Sequence, residues 1–288
     1  MKVTQKIQAC FQLIRPELPI AAGICVVVGQ TIALGKFASF PIVIQGFALG
    51  FFLSSSVMIF NDYFDIEVDR INSPQRPLPS GRITKTEAIV LGISTALIAL
   101  GIALSIAPVA FVAGLILWVL GFLYNWKWKS NGLAGNLVVS LNVGMTFLIG
   151  AFSVGQIRNP AVWVFSLIAF FFDLAEEIAG DAMDMEGDLK RGSRSLAIRY
   201  GRQTALRISS GLFAAMILVT LTPILFSHPP LSYLLPIAAL DIIVIVYSRK
   251  LLRSSSPQEG RRAMRVMYLA ATVCLVVYII WLNLNQPI

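Results

Sequence analysis

One histidine and three cysteines are all that the 288 residues offer to soft-metal or thiol chemistry. Cys10, Cys25 and Cys274 stand in separate segments with no C-x-x-C spacing. They read as small buried apolar residues, not as a disulfide frame or a zinc site. His228 precedes Pro229 and Pro230 in a turn, which argues against histidine-based metal chemistry and Ser-His catalysis. Charge is scarce as well: 13% of residues are charged, about half the share of a soluble domain. These shortages exclude an ordinary soluble enzyme, a disordered chain and a coiled coil. What is plentiful is apolar, with 57% hydrophobic residues and a mean hydropathy of +0.77. The fold class that remains is an all-α polytopic membrane protein. A span takes about 20 apolar residues, so the chain has room for roughly nine spans and no large soluble domain.

Nine apolar stretches are readable, near 18–35, 41–60, 86–105, 108–125, 133–155, 160–180, 203–226, 229–248 and 264–284. Backbone in hydrocarbon must satisfy its hydrogen bonds internally, so each is expected to be a helix. The whole chain, 1–288, reads as one transmembrane domain. Alternating the loops across nine spans places 21 of the 23 basic residues on one side and leaves only Lys36 and Arg158 on the other. Cationic loops stay in the cytoplasm, which puts the N-terminus and the large loops inside and the C-terminus outside a cell membrane. A net charge of +8 spread over such loops fits an anionic membrane surface, and an anionic substrate, better than nucleic acid. Val3, Ile7, Phe11 and Ile14 share one face of a short helix expected to lie on the cytoplasmic membrane surface. No cleavable signal peptide is visible.

The acids are unevenly placed. Of fifteen, four fall between Asp62 and Asp69 and six between Glu176 and Asp188. Charge inside a bilayer costs about 2.5–3.5 kcal/mol per residue, so such clusters point to function. Both windows contain D-x-x-D-x-x-x-D, at Asp62, Asp65, Asp69 and at Asp181, Asp184, Asp188, with a constant offset of 119 residues. Each follows an even-numbered span, so both are expected on the cytoplasmic side. Two quasi-equivalent halves, around 41–105 and 160–226, are expected to face each other. On a continuous helix Asn61, Asp65 and Asp69 would form one amide and carboxylate stripe, and Asp184 and Asp188 a matching pair. Oxygen-rich stripes without His or Cys suit a hard cation, Mg²⁺ above all, whose remaining sites phosphate oxygens and water fill. Arg76, Arg82, Lys127, Lys129, Lys190, Arg191 and Arg194 lie in loops on the same side. Acids, a divalent metal and then Arg or Lys together hold a diphosphate, although topology alone would supply many of these cations.

These residues resemble a known family. N-D-x-x-D-x-x-x-D at Asn61–Asp69, the following Arg76-Pro77-Leu78-Pro79-Ser80-Gly81, and D-x-x-x-D at Asp184–Asp188 are similar to the motifs of the UbiA superfamily of intramembrane prenyltransferases. Leu123-Tyr124, Lys129 and Gly135-Asn136 also match, as do Gly187-Asp188, Gly192 and Ser195-Leu196. The resemblance implies nine helices around a central cavity, capped by cytoplasmic loops, and Mg-dependent transfer of a prenyl group from an isoprenyl diphosphate to a lipophilic acceptor. It implies Asn61, Asp65, Asp69, Asp184 and Asp188 as the metal site, with Asp62 and Asp181 in support and Mn²⁺ as a substitute metal. Arg76, Lys129, Arg194, Tyr124 and Asn136 become diphosphate contacts, and Phe51, Phe52, Phe60, Trp118, Phe122 and Phe170 to Phe172 candidate walls. Each of these aromatics also fits ordinary helix packing.

The nearest branch on these motifs holds archaeal digeranylgeranylglyceryl phosphate synthases and chlorophyll synthases, which favours a geranylgeranyl donor and geranylgeranylglyceryl phosphate as acceptor. That lipid branch leads one to expect basic residues near Glu176 and Gly180, where this chain has an acid and a glycine. Glu176 would then serve as a base for a neutral nucleophile, which keeps aromatic, quinone-precursor and chlorophyllide-type acceptors open. It would equally pair with a loop arginine. Asp173 and Asp241, inside spans, are functional candidates by position. Two other classes remain as rivals. The CDP-alcohol phosphotransferases are disfavoured by the absence of D-G-x-x-A-R. An ion-coupled transporter is disfavoured by acids at span ends rather than mid-membrane. Donor chain length and oligomeric state are open at this level.

Overall fold

The computed structural model describes residues 3–129, 131–190, 192–226 and 229–284; the side chains of Val3, Asn72, Asp188, Lys190 and Phe226 lie outside that description, as do Ser130, Arg191 and His228 altogether. Among the described residues all regular secondary structure is helical. The long helices are α2 (Glu17–Leu34), α3 (Phe40–Phe64), α5 (Lys85–Ile106), α6 (Pro108–Leu123), α7 (Leu133–Ser153), α8 (Pro160–Met183), α11 (Arg202–Phe226), α12 (Leu231–Leu252) and α13 (Pro257–Leu284). Short ones are α1 (Val3–Ile14), α4 (Ile66–Asn72), α9 (Met185–Lys190) and α10 (Leu196–Tyr200), and a π-helical turn, Tyr124–Trp128, continues α6. Eight of the nine expected spans are long and apolar enough to cross a membrane. The ninth, α8, has 24 residues but carries Asp173, Glu176 and Glu177 in its second half, which takes it out of the set on charge rather than on length.

The helices have an inside-out packing pattern. On α5 the residues turned inward are small except for Leu100, namely Ala88, Gly92, Thr95, Ala96, Ala99 and Ala103, whereas Ile93, Leu97 and Leu104 point outward at 45–64% exposure. Lipid tails solvate leucine as well as a protein core does, so helices associate through small residues that let backbones approach. The crossing of α2 and α7 shows the limit of this rule. A Cβ on Gly29 would lie 2.2 Å from the Phe147 carbonyl oxygen, and one on Gly150 would lie 2.1 Å from that of Val26. Only glycine fits either place.

The chain falls into two compact units. The first holds residues 1–30, 38–128 and 146–157. In it α3 packs on α5, α5 on α6 and α1 on α3, and Ala9 and Leu13 of α1 are buried with Ile59, Ile66, Leu78 and Ile83. The side of α1 seated on the protein is therefore Ala9 and Leu13, while Ile7 and Phe11 of the expected apolar face stay outward, 53% and 59% exposed. Lys6 of α1 pairs with Glu87, which also closes a capping box at the start of α5 with Thr84. Thr84→Ala removes the acceptor for the Glu87 N–H and is expected to destabilise the unit by about 1 kcal/mol, read as a lower melting temperature in detergent. The second unit holds residues 31–37, 129–145 and 158–288. Here α8 packs on α11, α11 on α12, and α12 on α13, which returns to α8. Phe213, Met216, Leu206, Ile178 and Met267 are fully buried at its centre.

Candidate functional site

Each acidic motif straddles a helix break, and the break falls on the same residue of the pattern. Asp65 stands between α3 and α4 with φ −84° and ψ 3°, and Asp184 between α8 and α9 with φ −108° and ψ 10°. The expectation of one continuous helical stripe is corrected accordingly: the middle carboxylate of each motif is the hinge, not a point on a straight face. Two backbone bonds span the hinge, from the Asp65 N–H to the Asn61 carbonyl (3.0 Å) and from the Asp69 N–H to that of Asp65 (2.8 Å). Asn61, Asp65 and Asp69 thus keep a common register although the axis turns.

In the first unit Asp62 and Asp69 are nearly inaccessible, 2% and 5% exposed. Two carboxylates at such burial require cations. Arg15 pairs with Asp62, and the Arg76 guanidinium lies 2.6 Å from Asp69 and 3.8 Å from Asp62. Among the described residues Arg15 is the only non-glycine with positive φ, at 51°, where the chain turns from α1 into α2. Asn61 donates its amide to the Asn125 side-chain oxygen (2.9 Å), and Asn125 donates to the Val57 carbonyl (2.9 Å). Asn125 lies in the π-helical turn beside Tyr124; the widened turn carries a buried amide to the first motif. Sequence reasoning missed it, and its one signal is a polar residue at the end of a wholly apolar span. Phe60, Tyr63, Phe64, Trp118 and Phe122 form a connected set of edge-on and tilted rings, with centroids 5.1–6.5 Å apart. Trp118 is tied to Ser56 (2.8 Å). Phe51 packs edge-on against Phe52 in the same helix.

In the second unit Asn136 donates to Asp181 (2.9 Å), and Ser140, one turn along α7, donates to Asp173 (2.8 Å). Asp184 is half exposed and accepts from Arg261 of α13 at 2.6 Å. Asp188 lies in α9, with its side chain outside the described set. Arg194 is exposed, and its carbonyl oxygen would sit 2.4 Å from a Cβ at Gly132, whose φ is +59°. That glycine seats the segment between Lys129 and Asn136 on the Arg194–Ser195 backbone. Glu176 lines a small cleft with Arg261, Met264, Arg265 and Tyr268. Among the described residues no arginine pairs with Glu176; Arg261, its neighbour in the cleft, pairs with Asp184 instead. Asp241, in α12, accepts from Thr220 (2.8 Å) and belongs to a separate polar contact between α11 and α12.

The donor set of both motifs is oxygen alone, which suits a hard divalent cation. Among the described side chains no three His, Cys, Asp or Glu gather closely enough to hold a metal; Asp62, Asp69 and Asp184 are engaged by arginines instead.

The family profile described as "UbiA prenyltransferase family" matches residues 22–281. A digeranylgeranylglyceryl phosphate synthase of Thermococcus sibiricus is 35% identical over 262 residues, covering 91% of this chain and 92% of that protein. A solved structure of a digeranylgeranylglyceryl phosphate synthase superposes with a TM-score of 0.83 at 29% identity, covering 96% of this chain and 98% of that one. A UbiA homolog from Archaeoglobus fulgidus, solved with GPP and Mg²⁺, has the same fold at a TM-score of 0.70 and 17% identity, covering 94% and 98% of the two chains.

Proposed function

We propose, from the premise that the chain belongs to the UbiA prenyltransferase family, that it transfers a geranylgeranyl-type group from an isoprenyl diphosphate to geranylgeranylglyceryl phosphate, as in archaeal ether-lipid synthesis. Membership makes it a multi-pass membrane prenyltransferase; the acceptor, the residue roles and the orientation are the proposal. The observation that carries it is the likeness to the Thermococcus sibiricus synthase over nearly the full length of both chains. A local feature supports a phosphate-bearing acceptor. The two cations that the sequence lacks at Glu176 and Gly180 have candidate substitutes on α13, where Arg261 and Arg265 share the cleft with Glu176 and the Met264 methyl lies 4.0 Å from where a Cβ on Gly180 would be.

In the reaction the allylic C–O bond breaks, and its electron pair leaves with the diphosphate. A C–O bond forms to the acceptor hydroxyl, and the hydroxyl proton passes to a base. Asn61, Asp65 and Asp69 of the first motif, and Asp184 and Asp188 of the second, are assigned as metal ligands, with Asp62 and Asp181 supporting them. Mg²⁺ held there, or Mn²⁺ in its place, would supply charge neutralisation for the leaving diphosphate. Arg76, Lys129 and Arg194, with Tyr124 and Asn136, hold the diphosphate oxygens and stabilise the charge that develops there. The ring cluster from Phe60 to Phe122 excludes water from the carbocation-like allylic fragment. Glu176 is the candidate base. Its carboxylate also favours a second reading, a phenolic acceptor.

The 21-to-2 distribution of basic residues supports an N-terminus and motif-bearing loops in the cytoplasm of a plasma-membrane protein, with the C-terminus outside. The constant 119-residue offset, repeated in the position of the helix break, supports one domain over 1–288 with an internal quasi-repeat.

Purified protein given geranylgeranyl diphosphate with Mg²⁺ is expected to prenylate geranylgeranylglyceryl phosphate and to stop when the metal is chelated. Faster turnover of a hydroxybenzoate or a chlorophyllide than of the glyceryl phosphate would overturn the acceptor. Turnover unaffected by chelation would overturn the metal.

A further inference from the structure

We propose that the cleft between the C-terminal end of α12 and the first turns of α13 binds the phosphate headgroup of an anionic membrane lipid, at a place separate from the reaction site. The cleft measures about 760 Å³, and Arg249, Lys250, Arg253 and Arg262 line it together with Val246, Tyr247 and Val266. All four cations are exposed. None has a carboxylate within ion-pair reach among the described residues, in contrast to Lys6, Arg15, Arg70, Arg76 and Arg261. The one acid in the lining, Glu259, accepts instead from the Ser255 N–H at 2.8 Å. Lys250 rests over the Tyr247 ring, 4.3 Å from its centroid.

Positive charge at the cytoplasmic end of a span is ordinary. Three features here go beyond that rule. First, the wall is already rigid. Arg202 of α11 donates to the Ser254 carbonyl (2.7 Å) and hydroxyl (2.8 Å), which fixes the short α12–α13 link. A preformed rim lowers the ordering cost of binding. Second, the N-terminus of the 28-residue α13 opens at the same rim, where the positive end of its dipole offsets the negative end of α12 and leaves the four cations to set the charge. Third, both walls have the same sequence of chemistry with depth. Along α12, Arg253, Arg249 and Lys250 give way to Val246 and Tyr247 about one turn deeper; along α13, Arg262 gives way to Val266. Cations above an apolar floor match a phosphate joined to acyl or isoprenyl chains. A free phosphate has no use for the lower half, and this gradient commits the site to a lipid.

The test compares lipid retention by the full-length protein in detergent, measured by native mass spectrometry after incubation with phosphatidylglycerol or phosphatidylcholine. Wild type is expected to retain one phosphatidylglycerol against excess phosphatidylcholine. The triple variant Arg249→Gln, Arg253→Gln, Arg262→Gln should retain it roughly 100-fold less well, given the attraction of each cation for an anionic lipid. A charge-matched control, Lys85→Gln, Arg199→Gln, Arg207→Gln, should retain it as wild type does. Equal loss in both variants would reduce the effect to diffuse charge and overturn the site, as would full retention in the first. Displacement of the lipid by inorganic phosphate alone would overturn the lipid as occupant. If the triple variant is not monodisperse, Arg249→Gln alone carries the same test at smaller amplitude. Because the site is distinct from the motifs, prenyl transfer in detergent failing altogether would leave this result intact.

Discussion

Asp65→Ala is expected to lower prenyl transfer by roughly 100- to 1,000-fold, the scale seen when one preorganised partner of a developing charge is removed. Asp65 is the hinge of the first motif, so the substitution deletes an oxygen donor at the turn between α3 and α4. The ion pairs of Arg15 with Asp62 and of Arg76 with Asp69 are untouched by it, and the first unit should stay folded. The measurement is therefore double. Melting temperature and elution in detergent should match wild type, while product from geranylgeranyl diphosphate falls away. Asp184→Ala, at the equivalent hinge of the second motif, should behave alike, with the further loss of the Arg261 contact. An Asp65→Ala protein of normal activity would remove the metal role from the first motif and, with it, the proposed chemistry.

Gly150→Leu should be the most damaging change outside the motifs. Its Cβ would fall 2.1 Å from the Val26 carbonyl oxygen and 2.7 Å from the Gln30 nitrogen. Those are backbone atoms of a neighbouring helix and cannot swing aside like a side chain. Relief requires α2 and α7 to separate, which also strains the bonds that Gln30 makes with the Ile42 carbonyl (3.0 Å) and Ser153 (2.8 Å). A cost of about 3 kcal/mol or more is expected, seen as a large loss of monodisperse protein and of melting temperature. Gly101→Ala is the internal comparison: a Cβ there meets nothing within 4 Å. It should leave the protein unchanged or stabilise it by about 0.5–1 kcal/mol. If the two variants melt together, close backbone approach is not what holds α2 to α7.

The spans were legible because a long apolar run in a chain this poor in charge can hardly be anything except a membrane helix. Where the reading slipped, charge was the reason. α13 begins at Pro257, seven residues before the expected 264, since Arg261, Arg262 and Arg265 interrupt hydropathy without interrupting a helix. The motif acids stood out because isolated carboxylates are costly in such surroundings. Their partners did not. Asn125 and Ser140 are neutral residues of common kinds, and Arg15 and Arg261 looked like topology signals; only tertiary packing assigns them to Asn61, Asp173, Asp62 and Asp184. The helix breaks at Asp65 and Asp184 were hidden for a related reason. Nothing in N-D-x-x-D forbids a continuous helix, and local propensity gives way to context.

The π-helical turn at Tyr124–Trp128 has a consequence for how this segment tolerates length changes. Such a turn amounts to one residue more than an α-helical path would use. Deleting Trp126, whose side chain is 60% exposed, would let the ladder of hydrogen bonds revert to ordinary α spacing. The widening and the residue it absorbs would go together, so the turn would narrow while the residues just beyond it kept their azimuth relative to Trp118 and Phe122. Asn125, which sits inside the widened turn, would lose its aim at Asn61. The single surplus residue acts as a local aiming device, and a deletion there reaches the first motif through Asn125, further than the loss of one exposed tryptophan would imply.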